Sequence, residues 1–140
     1  MAALNFHFDI DGEDFSSAGE ASVEMKKKLR QLGFPSDVIR RCSIAMYEGE
    51  INMVIHANGG NIHCEVDADK IRVIMKDSGP GIPELDKAMK PGWSTASTQA
   101  RELGFGAGMG LPNIKKWSDN LVVETEVGVG TTLTMEFNLT

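Results

Sequence analysis

Stretches of hydrophobic period two and of helical period follow one another in this chain in the order strand, helix, helix, hairpin, long loop, helix, hairpin. Regular strand–helix alternation is missing, which argues against a doubly wound nucleotide-binding sheet. Hairpins mixed with runs of helices point instead to an α+β fold, a mixed and mostly antiparallel sheet with helices on one face.

Leu4, Phe6, Phe8 and Ile10 alternate and predict a half-buried strand. Asp14, Ser16 and Ser17 offer N-caps for a helix from about Phe15 to Leu32, with Ala18, Met25, Leu29 and Leu32 as its apolar stripe. Gly33 and Phe34-Pro35 end it. Ser36 or Asp37 caps a second helix that runs to about Ala57, and Asn58-Gly59-Gly60-Asn61 reads as a turn. Ile62, Cys64 and Val66, then Ile71, Val73 and Met75, mark the inner faces of a hairpin joined at Asp67-Ala68-Asp69-Lys70. A helix is predicted from about Gly108 to Asp119, with Pro112 in its first turn. A last hairpin, Leu121 to Glu126 and Thr131 to Asn138, turns at Val127–Gly130 and puts Leu133, Met135 and Phe137 inward.

Between these elements, positions 78–107 show little periodicity apart from a short helical candidate, Glu84 to Lys90. A loop this long in a compact domain is functional or disordered. Seven of the chain's 15 glycines lie between Gly79 and Gly110, a crowding that suits backbone turning sharply or approaching something closely.

Composition bounds the function. The 140 residues make one domain, with no internal repeat or linker, large enough to need no disulfide or structural metal. No apolar run reaches membrane-spanning length, and the acidic stretch Met1 to Glu20 is not a secretory signal. A net charge of −6 argues against a nucleic-acid partner. Cys42 and Cys64 form no CxxC pair and fit a reducing cytoplasm.

Three stretches carry chemistry. On the second helix Glu48, Asn52 and His56 share one face, and Glu50, about 200° further round, is expected to be solvated. That face is either a polar helix edge or a functional pair: an amide oxygen suits Mg²⁺, and a half-buried carboxylate can accept a hydroxyl proton. Gly49 costs helix stability and so suggests the close approach of another element. In Asp77-Ser78-Gly79-Pro80-Gly81-Ile82 a strand ends in a carboxylate able to accept from an exocyclic amine such as adenine's; an ordinary turn is the alternative. Finally, Gly104-Phe105-Gly106-Ala107-Gly108-Met109-Gly110-Leu111 feeds a helix N-terminus, where amides and the helix dipole favour phosphate. Walker A, GxGxxG, HRD, DFG and HExxH patterns are absent.

In order and spacing these pieces resemble the GHKL ATPase superfamily of gyrase, the Hsp90 chaperone, histidine kinases and MutL. Glu48-x3-Asn52-x3-His56 is similar to its N box and Asp77-x-Gly79-x-Gly81 to its G1 box. Gly106-x-Gly108-x-Gly110-Leu111 is similar to its G2 box, and Gly130-Thr131-Thr132 to its closing segment. The resemblance implies the Bergerat fold, a two-layer α/β sandwich with a long ATP lid. The chain's size resembles the bacterial anti-sigma factors and switch kinases, which phosphorylate serine or threonine on a small STAS-class antagonist.

Carried onto this sequence, the resemblance implies ATP and Mg²⁺, with Glu48 as catalytic base and Asn52 as magnesium ligand. Asp77 reads the adenine amino group, and Gly79, Gly81 and Ile82 lie beside the nucleotide. Gly104, Gly106, Gly108, Met109, Gly110, Leu111 and Thr132 complete its site. By the same resemblance Gly92 to Phe105 forms the lid, in which Thr95 or Ser94 touches the phosphates, while Arg101 or Lys115 supplies positive charge. A sigma factor, a downstream phosphatase and a second copy of the chain are further partner candidates. Two departures bear on rate: Gly49 stands where the family often has Ala, and the lid has few basic residues. The rival reading is a nucleotide-gated binding module with negligible phosphotransfer. His7 and His63 are expected to be structural, and Trp93 and Trp117 either pack or serve an interface.

Overall fold

The computed structural model describes residues 4–11, 19–57, 59–77, 79, 110–126 and 128–139. In these stretches the period-two segments become five strands: β1 Leu4–Asp11, β2 Gly59–Val66, β3 Lys70–Lys76, β4 Asn120–Glu126 and β5 Gly130–Asn138. They form one sheet in the order β1-β2-β3-β5-β4. Every neighbouring pair is antiparallel, so the expected mixed character is absent among the described strands. The registers line the inward residues into rows. Phe6, Cys64, Val73, Met135 and Leu121 stand side by side across all five strands, as do Phe8, Ile62, Met75, Leu133 and Val123. Most of these side chains are buried because three helices, α1 Glu20–Gln31, α2 Ser36–Ala57 and α3 Gly110–Trp117, cover that face.

Helix α2 is the central one and touches α1, α3 and the sheet. Val38, Ile39, Cys42, Ala45, Met46, Met53 and Val54 are all buried along it. Its first turns are tied to the end of the sheet by Arg41, whose Nη1 donates to Asp119 Oδ2 at 2.7 Å, while the Asn138 N–H donates to the same oxygen. Cys42 and Cys64 are free buried thiols, and burial pushes Cys64 up to about 12. No helix among the described residues is long and apolar enough to cross a membrane.

Three sequence expectations are corrected. Helix α1 starts at Glu20, not near Phe15: Gly19 takes a left-handed φ of 100°, through which no α-helix runs. Positions 12–18, including the proposed caps, lie outside the described residues. Leu32, assigned to the buried stripe, is 45% exposed, and Ala21 and Ser22 are buried instead, with Met25 and Leu29 as expected. Gly59 and Gly60, read as a turn, already belong to β2 and pair with Asp11 and Ile10. A Cβ on Gly60 would collide with the Lys76 carbonyl oxygen, so the glycine serves close strand packing.

Candidate functional site

Three consecutive residues of α2 face three different neighbours. Glu48 meets α3, where Asn113 Nδ2 donates to Glu48 Oε1 at 3.3 Å. Gly49 meets the sheet: a Cβ there would overlap Met75 Sδ and lie 3.3 Å from Met135 Cε. This is the close approach that its presence in a helix interior suggested. Glu50 meets α1. Its Oε2 accepts the N–H of Gly19 at 2.8 Å and of Ala21 at 3.1 Å, and its Oε1 accepts the N–H of Ser22 at 3.0 Å. Glu50 is 1% exposed, so the expectation of a solvated side chain is wrong. The amides at a helix N-terminus have no partner within their own helix and carry positive partial charge. The Glu50 carboxylate satisfies these amides from the neighbouring helix.

Asn52 stands one turn beyond Glu48 on the same face. It is half-buried, and its amide makes no hydrogen bond among the described residues. Glu48 Oε2 is likewise without a partner among them. The side chain of His56 lies outside the described residues.

Asp77 closes β3. Its Oδ1 accepts from Gly79 N–H at 2.9 Å and from Thr131 N–H at 3.1 Å, and its own N–H donates to the Thr131 carbonyl at 3.0 Å. Oδ2 makes no hydrogen bond among the described residues. Gly60 links this strand end to α2: a Cβ on it would lie 2.7 Å from Met53 Cε and 3.0 Å from Asp77 Cα. Met53 is the residue after Asn52, so a side chain of α2 and the backbone of the strand end meet around this glycine.

Thr132, named from the closing motif, points the other way. Thr131, Leu133, Met135 and Phe137 are buried on the inner face of β5, and Thr132 alternates with them beside Lys76. The threonine that meets Asp77 is Thr131, whose Oγ1 lies 2.9 Å from Thr125 Oγ1. Gly110 begins α3, and Leu111 is buried in the hydrophobic core beside Ile114. Gly81, Ile82, Ser94, Thr95, Arg101, Gly104, Gly106, Gly108 and Met109 lie outside the described residues, as does the helical candidate 84–90. Lys115 is exposed. Trp117 packs against the core between Arg40 and Lys116, while Trp93 is outside the described residues. His7 and His63 sit on the outer sheet face, paired with Asp9 and Asn5.

Glu50, Thr131 and Asn113 escaped the sequence reading. Glu50 falls four residues after Met46 and four before Val54, inside the apolar stripe, and a charge there signals a buried partner. Counting back by two from Leu133 selects Thr131. Nothing in the sequence signals Asn113.

Residues 37–140 match the family described as histidine kinase-, DNA gyrase B- and HSP90-like ATPases. The chain belongs to this ATPase family. Among its relatives, the serine/threonine-protein kinase RsbT of Bacillus subtilis is 33% identical over 106 residues, covering 73% of this chain and 74% of RsbT. The anti-sigma F factor of Thermoanaerobacter is 31% identical over 141 residues, covering 96% of this chain and 91% of that one. Solved structures agree in fold. The catalytic domain of the histidine kinase ThkA superposes with a TM-score of 0.55 at 21% identity, covering 99% of this chain and 97% of that one. A crystal structure of RsbU and RsbW domains from Mycobacterium tuberculosis gives 0.66 at 16% identity, covering 97% of this chain and 32% of that longer one. The α+β sandwich of an ATPase in this family is therefore the architecture on which Glu48, Asn52 and Asp77 sit.

Proposed function

We propose that this chain is an ATP-dependent serine/threonine protein kinase that phosphorylates a small STAS-type antagonist protein in a bacterial cytoplasm. The observation that carries the reading is the α2 face on which Glu48 and Asn52 stand one turn apart, each with an unengaged oxygen among the described residues, in a chain one-third identical to a named serine/threonine kinase.

In this reading the Asp77 carboxylate, clamped through Oδ1, offers Oδ2 to the adenine amino group. The glycine-rich run Gly104 to Gly110 is assigned to the phosphates on its sequence alone. The half-buried Asn52 carboxamide is a hard oxygen donor of the kind Mg²⁺ takes together with phosphate oxygens. Magnesium supplies charge neutralisation at the transferring phosphoryl group. Glu48 Oε2 takes the proton of the acceptor hydroxyl as that oxygen bonds to the γ-phosphorus and the bond to the bridging oxygen of ADP breaks. Positioning and electrostatics supply most of the acceleration.

A second reading has its own support. The relative that aligns along 96% of the chain is named for opposing a sigma factor, which fits a nucleotide-gated binding module with negligible transfer. Incubation with γ-labelled ATP, magnesium and a STAS-domain protein encoded beside this chain separates the two. Label on the antagonist supports the kinase; nucleotide-dependent co-elution without label supports the module.

A further inference from the structure

Glu48 is a long side chain with three rotatable bonds, and a base must hold its oxygen within a few tenths of an ångström of the proton it takes. Its backbone is fixed. Gly49 lies hard against Met75, and Glu50 is clasped to α1. The facing helix is fixed as well, because Leu111 is 7% and Ile114 0% exposed in the core. The two helices meet where Asn113 Nδ2 reaches Glu48 Oε1 at 3.3 Å.

We infer that Asn113 is a positioning residue for the reaction: it holds Glu48 Oε1 across the α2–α3 seam so that Oε2 alone faces the acceptor hydroxyl. The inference rests on the kinase reading above. A carboxamide suits this task. It has no titrating proton, so its donor is present at every pH, and it brings no cation that would pair off the base. Its orientation is settled by chemistry, since turning its oxygen toward the carboxylate would set two acceptors against each other. The separation is longer than the common value of about 2.9–3.0 Å, as catalytic hydrogen bonds often are before substrate tightens them.

Asn113→Ala tests the assignment, because Ala is favourable in a helix and Asn113 is only half-buried. Asn113→Asp, nearly the same shape, sets a like charge against Glu48 and guards against a packing artefact. Transfer from magnesium–ATP to the STAS-domain acceptor is expected to slow about tenfold in Asn113→Ala, and further in Asn113→Asp, with unchanged ATP affinity. In nucleotide-free protein, Glu48→Ala is expected to displace the Asn113 side-chain amide resonances in a ¹H–¹⁵N spectrum. Transfer at the wild-type rate in both variants, a loss matched by lost ATP affinity, or amide resonances that ignore Glu48→Ala would each overturn the assignment. Wild-type protein that binds ATP and transfers nothing counts against the kinase reading; a normal wild type with unaffected Asn113 variants counts against Asn113 alone.

Discussion

Asp77 and Thr131 grip each other twice: the Asp77 N–H donates to the Thr131 carbonyl at 3.0 Å, and the Thr131 N–H donates to Asp77 Oδ1 at 3.1 Å. The second bond leaves Oδ2 as the atom available to a ligand. Asp77→Asn therefore separates binding from folding. The asparagine oxygen can keep both backbone N–H bonds, while an NH₂ replaces the free acceptor and meets the adenine amino group donor to donor. We expect ATP affinity to fall about 100-fold by calorimetry, with a thermal midpoint close to that of the wild type. Unchanged affinity would remove Asp77 from the adenine site.

Glu48 and Glu50, two residues apart, are expected to fail in opposite ways. Glu48→Gln alters a half-buried side chain with one hydrogen bond among the described residues, so stability should move by less than about 1 kcal/mol. ATP binding should persist, and transfer should drop about 100-fold or more. Glu50→Gln turns a donor toward backbone N–H groups inside the core, at a cost of about 2 kcal/mol, and Glu50→Ala, which strands all three amides, should cost more. Urea titrations of the three variants check the order.

The packing of Gly49 on Met75 makes a coupling prediction. Gly49→Ala gains helix propensity but drives a methyl into the Met75 side chain, which is 1% exposed and has little room to yield. Met75→Val opens that space. The double variant should be more stable than the sum of the single changes implies by about 1 kcal/mol, measured in a double-mutant cycle. Strict additivity would mean that the helix and the strand do not press on one another there.

Acid should loosen the outer face of the sheet. Glu136 lies opposite Arg72 in the β3–β5 register and accepts from its Nη2 at 2.8 Å and Nε at 3.0 Å. Hydrogen bonds from Arg72, then from Asn120 and Lys70, hold its carboxyl at about 2, below an ordinary value of 4.5. A carboxyl depressed in the folded state stabilises it above the unfolded value and loses that contribution as pH falls through the folded one. The loss thus runs from about pH 4.5 down to about 2. Solvent reaches Arg72, which is 37% exposed, so the contribution is on the order of 1 kcal/mol. Glu136→Gln should flatten this part of the stability profile in urea titrations taken at successive pH values.

The periodic parts of the fold were legible because alternation alone determines which strand residues face inward: Ile62, Cys64, Val73, Met75, Leu133, Met135 and Phe137 are all buried as read. The second helix and the Glu48–Asn52 face were legible too, since a spacing of four fixes a shared side. What escaped depends on contacts between residues distant in sequence. A buried Glu50 needs the start of a helix 28 to 31 residues earlier, and Asn113 reaches Glu48 over a separation of 65. Choosing Thr132 over Thr131 followed the motif and ignored the alternation of its own strand. Gly60 looked like part of a turn because its role, letting backbone press on Lys76, is set by a neighbouring strand.

The Glu50 clasp also bears on the order in which the chain assembles. A 12-residue helix is marginal in water on its own, and α1 begins at a left-handed glycine, which has no side chain to cap it. The group that ends its first turn arrives only when α2 has formed and come to rest beside it. The opening helix is therefore expected to dock late, and substitutions in its first turn should accelerate unfolding while leaving the refolding rate almost untouched.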